Sequence, residues 1–275
     1  MSFFQLVVHV LNQKMDAIMS GTSIEENYKY YYEEDGFTLH VRDRVWYTQC
    51  GPNKCLTLYE LLKRTTDIST EDFRLRGMSM DHMAQKGFLR IVARSSFRIH
   101  RMPVRDEEIE VITTEEKPSA VQIIQAYEFK DKDGNPLISG ESEWMFLDPQ
   151  NRRLVPTKSF DLRVPNTERK EHDCLPNGRI ARPDNLMEAG NFKIAPSHLD
   201  GNGHVNNAWY AAFVTDCLPQ DFQELTPKDF RINYSRELLL GDLVKVSLAI
   251  SEDRKKVTLI GEKEKELSFE CELYF

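Results

Sequence analysis

The sequence predicts an α+β fold made of two similar halves, each an antiparallel sheet around one long helix. The first indication is a repeat, because residues 97–111 and 230–246 both open on Phe-Arg-Ile, pass through a polar break and close on an apolar alternation. The second is that short runs rich in Val, Ile, Phe and Tyr follow each repeat, separated by Gly, Asp or Asn turns. Such spacing is typical of antiparallel meanders.

A helix is predicted ahead of the strands of the first half, over residues 57–67. Thr57 and Glu60 have the spacing of a capping box at a helix start. Apolar side chains then recur at helical intervals and mark one buried face. The members of this face are Leu58, Leu61, Leu62 and Thr65.

The strands that follow are predicted from runs with high β-propensity. In the first half they cover 119–129 and 136–147, and the intervening Asp-Lys-Asp-Gly-Asn favours a hairpin turn. In the second half they cover 255–264 and 266–275. Each half therefore has the same order, a helix followed by an antiparallel meander.

The second helix is predicted over residues 206–218, with Asn206 as its N-cap. Its apolar positions cover nearly the whole circumference, which is typical of a buried helix. These positions are Trp209, Ala211, Ala212, Phe213, Val214 and Cys217. A sheet wrapped around one long buried helix is the hotdog architecture, and the pattern occurs twice. The predicted fold is therefore a tandem (double) hotdog.

The two repeats are separated by a stretch rich in proline. Five of the twelve prolines fall within 149–189, together with many charged residues and no apolar periodicity. We expect this stretch to be a surface linker between a first repeat at 28–148 and a second at 190–275. Residues 1–27 are an N-terminal extension, either a short amphipathic helix or a leader from an early start codon, with Met15 or Met19 the true start.

Composition narrows the functional classes. A net charge of −8 argues against a general nucleic-acid binder, which needs a basic surface. No apolar run approaches the ~20 residues that a membrane-spanning helix needs. The five cysteines are scattered and lack zinc-site spacing, so free thiols in a reducing cytoplasm are expected.

The stretch HLDGNGHVNNAWYAAF, residues 198–213, concentrates polar side chains before the second helix. A calcium loop counted from Asp200 needs Gly and Glu where Val205 and Ala211 stand. The spacing of His198 and His204 does not fit a zinc site. Two interpretations remain open: a polar turn that caps the helix, or a site of acyl chemistry. In the latter, unpaired helix N–H groups polarise a thioester carbonyl, while an imidazole and a carboxamide orient water or a carboxylate nucleophile.

At this point the sequence resembles the acyl-acyl-carrier-protein thioesterases of plants and bacteria, over roughly residues 28–275. The shared stretches of the first half are FRIHRMP, SGESEWMFLD and NRRLVP. The Asp-x-Asn-x-His-Val-Asn-Asn signature of that family stands here at Asp200, Asn202, His204, Val205, Asn206 and Asn207. The plant motif Tyr-Arg-Arg-Glu-Cys is represented by YSREL at 234–238, where Tyr234, Arg236 and Glu237 match and Ser235 and Leu238 do not.

The resemblance implies hydrolysis of fatty acyl thioesters on the carrier protein, with no cofactor and no metal. By carry-over, Asn202 and His204 are the catalytic pair. Asp200 is a nucleophile or an orienting carboxylate, and Glu237 is the general base or positions water. Leu238 replaces the family's cysteine and excludes a cysteine nucleophile there. We expect one active site, in the second repeat, because the helix entry of the first repeat lacks this signature.

Substrate-binding residues are expected in both repeats. The first repeat is expected to supply much of the acyl pocket, with Met78 and Met83 lining an apolar tunnel, although methionines also fill ordinary cores. Asn206, Asn207 and Trp209 are expected to bind the substrate at the helix entry.

Docking of an acidic carrier protein on an acidic chain requires a local basic patch. Arg94, Arg98 and Arg101 are the candidates, to which Arg152 and Arg153 of NRRL can add. A solvated sheet surface explains the same arginines equally well.

Other functions remain as alternatives. A hotdog hydrolase of acyl-coenzyme A, a hotdog dehydratase and a non-catalytic lipid-binding hotdog module share the predicted fold. The fused repeat favours the carrier-protein enzyme over a single-hotdog hydrolase, which would have about half this length. Whether the protein is a monomer or a homodimer is left open.

Overall fold

A computed structural model describes residues 30–275 of the chain, so the expected N-terminal extension lies outside the described residues. The main helices are α1 (Leu58–Leu75) and α3 (Asn207–Cys217), with short helices α2 (Met80–Gln85) and α4 (Gln220–Gln223) after them. The strands are β1 (Tyr30–Tyr32), β2 (Thr38–Arg44), β3 (Leu89–Ile99), β4 (Glu108–Glu116), β5 (Ile123–Asp131), β6 (Pro136–Leu147), β7 (Leu154–Val155), β8 (Met187–Lys193), β9 (Asp229–Tyr234), β10 (Leu243–Ile250), β11 (Lys256–Lys263) and β12 (Glu266–Tyr274).

All twelve described strands belong to one antiparallel sheet. Its order is β1-β2-β4-β5-β6-β3-β9-β12-β11-β10-β8, with β7 paired to β6. The two halves meet where β3 pairs with β9, and Phe97 lies opposite Phe230 at this junction. Their buried rings stack with centroids 6.2 Å apart. The predicted hairpin between β5 and β6 is confirmed, and Gly134 adopts the positive φ of +84° that its turn requires.

Helix α1 is longer than predicted. Thr57 caps its start as expected, with its hydroxyl oxygen accepting the N–H of Glu60 at 3.2 Å. The helix then continues through eight residues beyond Asp67, to Leu75. The sequence Ile-Ser-Thr-Glu-Asp-Phe hides this continuation because two of its buried positions are polar. Ser69 and Asp72 face the interior and are hydrogen-bonded there to Arg90 and Arg76.

Helix α3 begins and ends as the sequence predicts. The Asn206 side-chain oxygen caps it by accepting the N–H of Ala208 at 2.9 Å. Ala208, Ala211 and Val214 are fully buried, as expected for a helix that is apolar on most of its circumference. Helices α1 and α3 pack against each other and share the main core with the inner face of the sheet.

The loops that enter α1 and α3 have the same backbone pattern. Each is closed by two isolated antiparallel bridges, which are Cys50–Leu56 and Cys55–Val104 in the first half, and Leu199–Val205 and His204–Leu239 in the second. Cys55 therefore takes in the first half the position that His204 takes in the second. By the same correspondence Gly51 stands at the position of Asp200, so the first entry has neither the imidazole nor the carboxylate.

The connection between the halves packs along the sheet. The Ser96 hydroxyl on β3 donates to the carbonyl of Leu175, and the Asn233 amide on β9 donates to that of Gly178 at 2.9 Å. Cys174 and Ile180, which belong to this connection, have buried side chains. The predicted surface linker thus crosses the junction of the two halves with side chains of its own in the interior. In the described part of the chain, no helix combines the length and apolarity needed to cross a membrane.

Candidate active site

The entry to α3 is a tight loop organised by Asp200. Its Oδ1 accepts the backbone N–H groups of Asn202 at 2.8 Å and His204 at 3.3 Å. The backbone N–H of Asp200 in turn donates to the His204 carbonyl at 2.8 Å, and Gly203 turns the chain with a φ of +79°. A residue with a Cβ is strained at such a φ, so glycine suits this position. The Asn202 side chain is exposed at the loop tip.

The loop is tied to the segment that follows β9. Val205 N–H donates to the Leu238 carbonyl at 2.9 Å, and His204 forms a bridge with Leu239. This pairing brings Glu237 to His204, with 3.4 Å between Oε2 and Nε2. The side chains are 28% and 40% exposed, so solvent reaches the pair. This separation is slightly longer than an ordinary hydrogen bond.

Arg152 completes this group from the first half of the chain. Its Nη2 lies 2.5 Å from the same Oε2 of Glu237. From the sequence, Arg152 is a candidate only for the docking patch, and no residue of the first half is predicted in the catalytic site. The single available signal was the NRRL stretch, whose spacing says nothing about a contact 85 residues away.

The residues expected to bind substrate at the helix entry also hold that entry together. Asn206 caps the helix, and the Asn207 amide donates to the Thr66 hydroxyl on α1 at 2.8 Å. Trp209 packs edge-on against Tyr59 and lies 4.5 Å from the His198 ring, measured between ring centroids. Contact of these residues with a substrate stays a prediction.

Met78 and Met83 lie in the first half, away from the main core. Each is 1% exposed, within a second apolar cluster. The other buried members of this cluster are Phe73, Phe88, Ile123, Trp144, Phe146 and Phe160. The structure thus places both methionines among close-packed aromatic side chains at the end of α1, and their role in an acyl tunnel stays a prediction.

Each of the three arginines proposed for docking has a carboxylate partner. Arg94 pairs with Glu143 at 2.9 Å and Arg98 with Asp229 at 2.6 Å. Arg101 forms a two-pronged pair with Glu107 at 2.5 and 2.9 Å. These pairs lower the net positive charge of the patch, and its use for docking stays a prediction.

Cysteine chemistry is not favoured here. Leu238, at the position of the family's cysteine, is fully buried. Burial raises the pKa of the Cys217 thiol to about 11 and that of Cys271 well above its usual range, so both are protonated at neutral pH. Across residues 30–275, no cluster of three or more His, Cys, Asp or Glu side chains is arranged to hold a metal ion.

Two family models match this chain. Residues 40–159 match the family model of the acyl-ACP thioesterase N-terminal domain, and residues 182–273 match that of the C-terminal domain, where ACP is acyl-carrier protein. Fold and matches together place the protein among the thioester hydrolases. The chain belongs to the acyl-ACP thioesterase family.

Named relatives and solved structures agree with this assignment. Oleoyl-acyl carrier protein thioesterase 2, chloroplastic, of Arabidopsis thaliana is 26% identical over 267 residues, covering 87% of this chain and 70% of the relative. The oleoyl-acyl carrier protein thioesterase, chloroplastic, of Coriandrum sativum is 22% identical, covering 83% of this chain and 67% of the relative.

The solved structures confirm the double hotdog. An acyl-ACP thioesterase of Bacteroides thetaiotaomicron matches with a TM-score of 0.76 and 18% identity, over 89% of this chain and all of its own. The 12:0-ACP thioesterase of Umbellularia californica matches with a TM-score of 0.74 and 15% identity, over 88% of this chain and 98% of that structure's chain.

Proposed function

We propose that the protein hydrolyses fatty acyl-ACP at the entry to α3, with water as the nucleophile and His204 as the general base. The observation that carries this proposal is the 3.4 Å pairing of His204 Nε2 with the Glu237 carboxylate, directly before the N-terminus of a buried helix. A histidine oriented by a carboxylate is the recurrent device for moving a proton to and from an attacking group.

The reaction follows from these positions. The thioester carbonyl is polarised by the backbone N–H of Asn207, the first residue of α3, because the next two N–H groups already donate to Asn206. His204 removes a proton from water as the water attacks the carbonyl carbon. The carbon–sulfur bond then breaks, and the imidazolium returns its proton to the leaving thiolate. Glu237 stabilises the imidazolium between these steps. The products are free fatty acid and carrier protein with a free thiol.

The sequence leaves two roles open for Asp200, that of a nucleophile and that of an orienting carboxylate. We assign it the orienting role. Its Oδ1 already accepts two backbone N–H groups of the loop that carries His204. Hydrogen bonds to a carboxylate spread its charge and make it a weaker nucleophile. Asn202, exposed at the loop tip, is assigned to hold the attacking water or the thioester oxygen.

Substrate binding extends the proposal to both halves. The acyl chain is assigned to the first repeat with Met78 and Met83, and the thioester to Asn206, Asn207 and Trp209. The patch of Arg94, Arg98 and Arg101 is assigned to the acidic carrier protein, whose carboxylates can replace the intramolecular ones in these ion pairs. We place the protein in the cytoplasm, although the plant relatives are named chloroplastic.

The test compares acyl-ACP and acyl-coenzyme A with the same chain length. We expect faster release of free fatty acid from acyl-ACP, and a loss of about 100-fold or more in kcat for His204→Ala, as expected for removal of a general base. His100→Ala is the matched control, because His100 also pairs with one carboxylate, Asp173, at 3.1 Å. Equal rates on both substrates would contradict the carrier-protein assignment, and no turnover on either would favour a lipid-binding module.

A further inference from the structure

Arg152 is presented to the second repeat by an ordered turn after β6. Asp148 organises this turn, since its Oδ1 accepts the N–H groups of Gln150 at 2.8 Å and Asn151 at 3.1 Å. Arg152 N–H donates to the Asp148 carbonyl at 2.8 Å, and Arg152 itself has a φ of 56°. The chain then pairs back onto β6 through β7. The turn at 148–153 falls mostly within the expected linker at 149–189, but β7 attaches it to the sheet of the first repeat. The Arg152 backbone is therefore held by the first repeat.

The Arg152 side chain bridges the two repeats at the catalytic carboxylate. Its guanidinium contacts Glu237 Oε2, the oxygen that also faces His204 Nε2. Glu237 lies just past the end of β9, and both it and Arg152 are nearly half exposed. A glutamate in such a position samples several rotamers unless a partner restricts it, and a charge-assisted hydrogen bond supplies that restriction.

We propose that Arg152 is a positioning residue supplied by the first repeat, which holds the Glu237 carboxylate beside His204. This inference rests on the proposed function, because it assigns Arg152 no contact with the substrate. The guanidinium presents its N–H donors in a rigid planar fork that suits a carboxylate, so it can restrict the orientation of Glu237. The catalytic group of the second repeat is therefore complete only when the turn at 148–153 is in place.

A docking role for Arg152 makes different predictions. An arginine that binds an acidic carrier protein acts on KM, through long-range attraction that weakens with salt. An arginine that positions Glu237 acts on kcat, and its effect depends on the presence of the Glu237 carboxylate. Lysine restores a charge in both roles, but restores geometry only in part, because it lacks the planar fork of arginine.

The experiment is a double-mutant cycle with Arg152→Ala and Glu237→Gln in the full chain, with kcat and KM measured from steady-state hydrolysis of acyl-ACP at low and at high salt. We expect Arg152→Ala to lower kcat about tenfold with little change in KM, because displacing a catalytic group by about 1 Å can cost up to about 100-fold. In the Glu237→Gln background the same change should lower the rate by less than about twofold. Arg152→Lys should recover part of the loss. Arg182→Ala, which removes another exposed arginine paired with Glu262, is the control for net charge.

Three outcomes overturn the inference. If Arg152→Ala raises KM in a salt-dependent way while kcat stays at the wild-type value, Arg152 is a docking residue. A loss of kcat that is the same in both backgrounds means that Arg152 does not act through Glu237. If Glu237→Gln alone keeps the wild-type rate, the role of Glu237 in the proposed function fails as well, and this single variant separates the two failures.

Discussion

Replacement of Asp200 separates its two possible roles. In Asp200→Ala the loop loses the acceptor of two backbone hydrogen bonds, at 2.8 and 3.3 Å. Loss of a comparable side-chain cap costs about 1–2 kcal/mol. For a chain of this size we expect Tm to fall by about 2–8 °C. His204 is displaced with the loop, so kcat should fall by about 100-fold.

Asp200→Asn tests the orienting role directly. The asparagine Oδ1 is an acceptor at the same position, so both loop hydrogen bonds can form while the carboxylate is lost. We expect Tm within about 2 °C of the wild-type value and kcat within about tenfold. Thermal unfolding by circular dichroism and fatty acid release from acyl-ACP measure the two quantities. A stable Asp200→Asn protein with less than about 0.1% of wild-type turnover would refute this reasoning, since losses of that size follow removal of a nucleophile.

Two further predictions concern stability. Gly261 on β11 lies against the ring of Phe269 on β12, and an added Cβ would overlap that ring. Gly261→Ala should cost about 3 kcal/mol and lower Tm by about 6–12 °C. At Gly178 an added Cβ would meet only the Arg231 guanidinium, at an ordinary contact distance of 3.7 Å, so Gly178→Ala should shift Tm by less than about 2 °C. Equal shifts would contradict this packing. The Glu116 carboxylate, hydrogen-bonded to His172, raises the pKa of that histidine above 6.5. The protonated His172 stabilises the folded state, and this contribution is complete below pH 6.5, the pKa of an unfolded histidine. It is lost as the pH rises through the higher pKa of His172 in the folded state, so the free energy of unfolding should fall from pH 6.5 upwards. His172→Gln should reduce this fall in urea titrations, and an unchanged pH dependence would contradict the assignment.

Local patterns predicted most of the fold. The caps at Thr57 and Asn206, the turn before β6 and the β-propensity of the strands act over a few residues, so they can be read from the chain. The length of α1 could not be predicted, because Ser69 and Asp72 are polar and their burial depends on hydrogen-bond partners, Arg90 and Arg76. The packing of residues 175–178 against the junction of β3 and β9 likewise depends on long-range contacts.

The candidate site was predicted in part. The signature around His204 is contiguous, and Glu237 came from the family resemblance rather than from any pattern in the chain. Arg152 lies on the other repeat, and its contact with Glu237 exists only because β3 and β9 join the two halves in one sheet. Spacing along the chain carries no information about such a contact.

The most direct test of the His204–Glu237 pair is the single-turnover rate of His204→Ala, Glu237→Gln and the double variant on the same acyl-ACP. Residues that act as a unit show non-additive losses. We predict that each single variant loses at least about 100-fold and that the double variant is slower than either by no more than a few-fold. Losses that multiply in the double variant, or a wild-type rate in either single variant, would contradict the catalytic pair.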